Sequence, residues 1–207
     1  MITIKKKVLL ENVKHRSVIR KIVKDIINVF KKEDDGEFYL PEYFDEDLME
    51  YEFKDFNLSV ELIIDENPEL DNFLLNANFY RKDNIIVVKI VYNPEVKNKI
   101  LYDLVGDLNE TISHELRHLY QRDSGMFTFS DDEDEEDDED ESGYEYYTRP
   151  EEIDAQVTGF NRLSSLRKEP FEKIAKQWFE KNKDIHQMND QDVQRVLKIL
   201  IDYKNKN

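Results

Sequence analysis

The chain has 207 residues and a net charge of −17, is 39% hydrophobic, and contains 11 Tyr and 12 Phe but no cysteine. That much apolar and aromatic content excludes wholesale disorder and suits one domain spanning 1–207, while the missing cysteines exclude disulfides, thiolate metal ligands and a cysteine nucleophile. Positions 131–141 are eleven consecutive acidic residues, leaving −6 on the other 196 positions; a mildly acidic body repels phosphate backbones, so nucleic acid is not an expected partner.

Residues 1–10 lack the apolar stretch and small-residue cleavage site of a secretory signal, and no segment is long enough to span a bilayer. The expectation is a soluble cytoplasmic protein without a membrane partner. Three alanines against abundant Lys, Asn, Ile and Asp suggest an AT-rich coding genome such as low-GC bacteria and their phages have. In a phage-encoded chain, the compartment would be the host cytoplasm or the virion.

Over 13–32, Ile19, Ile22, Val23, Ile26, Ile27 and Phe30 mark one face of a helix whose other face is basic. Asp34-Asp35-Gly36 reads as a turn. Leu58, Val60, Leu62 and Ile64 alternate and predict a strand ending at Asn67-Pro68. Phe73, Leu75, Ala77 and Phe79 alternate again, Arg81-Lys82-Asp83-Asn84 supplies a turn, and Ile86, Val88, Ile90 and Tyr92 continue the period. This is a β-hairpin closed at Asn93-Pro94. A helix and at least three strands therefore precede the most specific motif of the chain.

That motif is His114-Glu115-Leu116-Arg117-His118, an HExxH pentad. Leu104, Val105, Leu108, Ile112, Leu116 and Leu119 recur at helical spacing and predict one amphipathic helix through it. Two imidazoles four residues apart share a helix face and can grip one metal ion, with Glu115 placed to act on a water at that ion. The helix should stop near Asp123-Ser124-Gly125. The acidic run 131–141 is expected to be a disordered, solvated loop; a basic partner for it is the rival reading. His15 and His186 stand alone in charged surroundings and read as solvated.

Pro150 followed by Glu151 and Glu152 starts another helix, running to about Arg167, with Ile153, Val157, Phe160 and Leu163 or Leu166 inward. Further helices are predicted near 171–181 and 190–203, with Trp178, Phe179, Val193, Val196, Leu197, Leu200 and Ile201 as core. The fold class is α+β.

A catalytic zinc normally takes three protein ligands and keeps one position open. The stretch 119–125 has neither the glycine nor the histidine of HExxHxxGxxH, so a carboxylate from a following helix is the natural third ligand. Here the sequence resembles the gluzincin branch of zincin metallopeptidases, particularly small forms like the lethal-factor catalytic domain and minimal phage or bacterial HExxH proteins. The resemblance covers roughly 84–160, and its specific part is the pentad plus Tyr146-Tyr-Thr-Arg-Pro-Glu-Glu-Ile-Asp-Ala155. It implies a zincin-like fold with a small, mainly antiparallel sheet. Counting back three from Ala155, it selects Glu152 as third ligand, with Glu151 as fallback.

Gln156 stands where thermolysin-like enzymes carry an acidic residue, so support for the ligands falls to another group, with Asp154 the candidate. The resemblance further implies zinc (Zn2+) as cofactor, Glu115 as general base, and a phenol for the oxyanion, Tyr146 among the neighbours Tyr144 and Tyr147. Arg149 would pair with a carboxylate, and the 72–92 hairpin would offer an edge to extended substrate. The implied activity is a zinc metalloendopeptidase acting on a peptide or protein. The alternative is a noncatalytic zincin-like structural or regulatory protein, for example virion-associated, that keeps the metal.

Overall fold

A computed structural model describes residues 2–32, 48–52, 56–127 and 142–206. The predicted turn at 34–36, the acidic run 131–141 and the side chain of His15 lie outside the described residues. The class is α+β: six helices and one four-stranded mixed sheet are described. The chain divides into two compact units, Met1–Leu116 and Arg117–Asn207, and the division falls inside one continuous helix.

In the first unit, α1 (Ile2–Lys32) starts well before the predicted position 13. Its apolar stripe is buried as expected, with Ile22, Ile26 and Phe30 wholly so. Phe30 meets Tyr92 of the sheet edge-to-face at 4.8 Å. The sheet comprises β1 (Leu48–Glu52), β2 (Asn57–Glu66), β3 (Phe73–Tyr80) and β4 (Ile85–Tyr92), in the order β1-β2-β4-β3. The β3–β4 hairpin forms in the predicted segment, pairing Phe73 with Tyr92 and Tyr80 with Ile85. Asn84 closes its turn at φ 56°, a left-handed conformation that asparagine tolerates better than most residues.

β1 and β3 pair antiparallel with their neighbours, whereas β2 runs parallel to the central β4. β4 buries Ile86, Val88, Ile90 and Tyr92 completely. β1 was not anticipated: it spans five residues, too few for alternation to register, although Met49 and Tyr51 do point inward. Tyr51 donates to Asp25 Oδ2 at 3.2 Å, and burial, reinforced by that carboxylate, drives the phenol far above its usual pKa. After β4, Asn93 accepts from the Glu95 amide and donates to the Leu70 carbonyl at 2.7 Å, tying the loop before β3 to the entrance of the next helix.

That helix, α2 (Lys97–Ser124), carries the pentad. Leu104, Leu108, Ile112, Leu116 and Leu119 are buried as predicted, but Val105 is not part of the stripe: it is 37% exposed, one residue and about 100° around the helix from Leu104. The helix ends where expected, with Gly125 at φ +63°.

The second unit continues from Arg117 through α3 (Gly143–Thr148), α4 (Pro150–Arg167), α5 (Phe171–Asn182) and α6 (Asp190–Lys206). α3 was not anticipated, though its signature is in the sequence: Ser142 and Glu145 form a reciprocal capping box. Phe160, Phe171, Phe179, Val196 and Leu200 centre the helical core, and Leu163 rather than Leu166 faces inward. His186 is not the solvated residue its charged neighbours suggested. It stacks on Trp178 at 5.6 Å and meets Tyr147 Oη at 3.0 Å through Nε2, and burial lowers its pKa. No helix among the described residues is long and apolar enough to cross a membrane.

Candidate metal centre

The continuous helix places His114 and His118 one turn apart on a single face of α2. α4 supplies the third group. Arg149 takes extended backbone angles as N-cap, Pro150 occupies the first helical position where its missing N–H is no loss, and Glu151 and Glu152 follow in the first turn. Carboxylates there are favoured by the helix dipole. Glu152 turns inward and is 5% exposed, whereas Glu151 is half-buried and offers its backbone carbonyl to Gln121.

Among the described residues, His114, His118 and Glu152 each offer a ligand atom, all within 4.8 Å of one another, and all three residues are buried. His118 Nε2 lies 3.2 Å from Glu152 Oε1. Tetrahedral donors about 2.05 Å from a zinc ion are about 3.3 Å apart, so this pair already has ligand spacing.

The surrounding hydrogen bonds determine what occupies the space between those two atoms. Gln121 is fully buried; its Nε2 lies 2.8 Å from the Glu151 carbonyl and 2.9 Å from Asp154 Oδ2. Both neighbours are acceptors, so the amide must donate to them, and its Oε1 is left to accept. His118 Nδ1, 2.9 Å from that oxygen, therefore carries a proton. In a neutral ring Nε2 then bears a lone pair aimed at a carboxylate oxygen. Two acceptors at 3.2 Å in a buried site require a cation between them, either a proton or a metal ion.

Asp154, the residue expected to support the ligands, does so at one remove. It holds Gln121, which in turn meets the histidine, and is itself held by Arg117 and by Tyr203 Oη at 3.0 Å. Gln121, Arg117 and Tyr203 were missed by sequence reasoning. Gln121 had a signal, since a residue three after His118 lies on its helix face. Tyr203 had none. Gln156 is buried, and its Oε1 makes no hydrogen bond among the described residues.

Glu115 is buried beside His114 on α2. One turn earlier Glu110, also buried, has its pKa pushed up to about 7, mainly by burial and further by Asp107 and Glu115, against a lowering influence of His114. Of the three tyrosines before α4, Tyr147 is committed to the core, edge-on to Tyr146, Trp178 and Phe179. Tyr144 and Tyr146 are partly buried against that core, and the Arg149 guanidinium lies 5.7 Å from the Tyr146 ring. No protein-family model, curated protein or solved structure matches this chain.

Proposed function

We propose that the protein is a zinc-dependent metalloendopeptidase of minimal gluzincin type, with His114, His118 and Glu152 as ligands. The observation that carries this reading is the approach of His118 Nε2 to Glu152 Oε1 at 3.2 Å, with the histidine proton held on the far nitrogen by Gln121. Zinc bound there would polarise a peptide carbonyl and bring the pKa of a water to about 7. Glu115 takes the proton of the attacking water and returns it to the departing amine. Tyr146 is the phenol assigned to the oxyanion. β3 is the outer strand of the sheet among the described residues, the position at which an extended peptide would add.

Glu115→Gln tests the chemistry. It should retain one equivalent of zinc and lose peptide cleavage by at least about 100-fold. Cleavage at the wild-type rate would remove Glu115 as base. The burial of all three ligands favours a second reading, a noncatalytic scaffold in which the metal only stabilises the fold. On that reading chelation lowers the melting temperature, and neither wild type nor variant cleaves any peptide.

A further inference from the structure

We propose that Tyr203, in the last turn of α6, positions the metal-facing nitrogen of His118 through an unbroken chain of hydrogen bonds running Tyr203, Asp154, Gln121, His118. The chain is a statement about proton placement; its effect on metal affinity rests on the zinc reading above.

Each link has a fixed direction. Tyr203 Oη donates to Asp154 Oδ1 at 3.0 Å. Burial, together with the neighbouring carboxylate, pushes the phenol up to about 12, so it keeps its proton at neutral pH. Asp154 Oδ2 accepts from Gln121 Nε2 at 2.9 Å, and Gln121 Oε1 accepts from His118 Nδ1 at 2.9 Å. Arg117 neutralises the buried carboxylate with a fork, Nε to Oδ2 at 2.5 Å and the terminal Nη2 to Oδ1 at 3.0 Å.

Arg117 already donates to both oxygens of Asp154, so Tyr203 adds a further contact to the carboxylate and is not its charge partner. Its contribution is angular: a second donor on Oδ1 resists rotation of the carboxylate and keeps Oδ2 aimed at Gln121. An amide so held cannot flip, and an amide that cannot flip holds the histidine in one tautomer. Tyr203 and Asp154 are 49 residues apart in sequence, so the end of the last helix governs a ligand on α2. Tyr203 is a positioning residue, acting through Asp154.

Two measurements test this. In the metal-free protein, NMR of 15N-labelled histidine should show a slowly exchanging proton on His118 Nδ1, lost or exchange-broadened in Gln121→Leu. Zinc affinity is then measured by competition with a chromophoric chelator in wild type, Tyr203→Phe, Gln121→Leu and the double variant, with melting temperatures for all four. Gln121→Leu should weaken zinc about 10-fold or more and Tyr203→Phe by about 3-fold, while Tyr203→Phe added to Gln121→Leu should change nothing further. A His118 Nδ1 without a proton, or a Tyr203→Phe effect of equal size in both backgrounds, overturns the chain. An Nδ1 proton in a protein that takes up no zinc leaves the chain standing and removes the metal reading. Zinc binding with no coupling between the two positions does the reverse.

Discussion

Arg117 and Asp154 join the two ligand-bearing helices by a fork, with nitrogen to oxygen distances of 2.5 and 3.0 Å, one residue before the second motif histidine and two residues after Glu152. Asp154 is 5% exposed, so this pair fixes the rotation of α4 about its own axis as well as its position. At about 100° per residue, the rotation that points Asp154 at Arg117 decides which of Glu151 and Glu152 turns inward.

Glu152→Ala should therefore lose the bound zinc, whereas Glu151→Ala should keep it at near wild-type affinity. Metal analysis of the two variants, purified side by side with circular dichroism to check folding, tests the assignment. Equal loss in both would mean that α4 is rotated from the orientation described.

Tyr146→Phe should lower kcat about 100-fold with zinc content and KM nearly unchanged, as expected when a donor to a developing oxyanion is removed. Tyr147→Phe should act on stability instead, because Tyr147 Oη contacts His186 and its ring is packed among aromatics. Unchanged kcat in Tyr146→Phe would release that residue from the mechanism and move the search to Tyr144.

Glu110 gives the metal-free protein a specific pH dependence. The folded carboxyl titrates near 7 and the unfolded one near 4.5, so between those values the folded state holds a proton that the unfolded chain has released. This contribution to stability is intact below about pH 4.5, falls as pH rises, and levels off above pH 7 after a loss of about 3 kcal/mol. Glu110→Gln should remove the loss and be the more stable protein at pH 8, with little difference at pH 4.5. Urea denaturation at both pH values, with chelator present, measures it; parallel curves for the two proteins would show that Glu110 ionises freely.

Gly143 opens α3 against the turn before α6. A Cβ there would lie 2.2 Å from the His186 carbonyl oxygen and 2.9 Å from Met188 Cγ, and the first of these is backbone that cannot rotate away. Gly143→Ala should cost about 1–3 kcal/mol of stability. Thermal denaturation checks this, and a melting temperature equal to wild type would mean that the two segments separate more easily than their packing implies.

The parts of this architecture that could be read from sequence are those with a local period. His114 and His118 belong to one helix, so their shared face follows from spacing alone, and the β3–β4 hairpin is written in alternation plus a four-residue turn. Glu152 came from resemblance to a known motif, since nothing local distinguishes it from Glu151. β1 and the parallel pairing of β2 with β4 were not legible, because alternation specifies which face is buried but neither partner nor direction. Tyr203 looked like one more aromatic on an amphipathic helix; its partner 49 residues away is chosen by tertiary packing. His186 misled for the same reason, as its charged neighbours in sequence are not its neighbours in space.

The strand order also sets the chain-entropy cost of each pairing in the sheet. β3 and β4 close across the four residues 81–84, whereas β2 reaches its parallel partner only after the eighteen residues 67–84 have been laid down between them. Closing the longer loop costs about 1.3 kcal/mol more in chain entropy, and that loop already contains β3. β1 and β2 are likewise close in sequence, so the parallel β2–β4 pairing, which joins the two antiparallel pairs, carries the largest loop cost in the sheet, and substitutions along it should slow refolding more than substitutions within either hairpin.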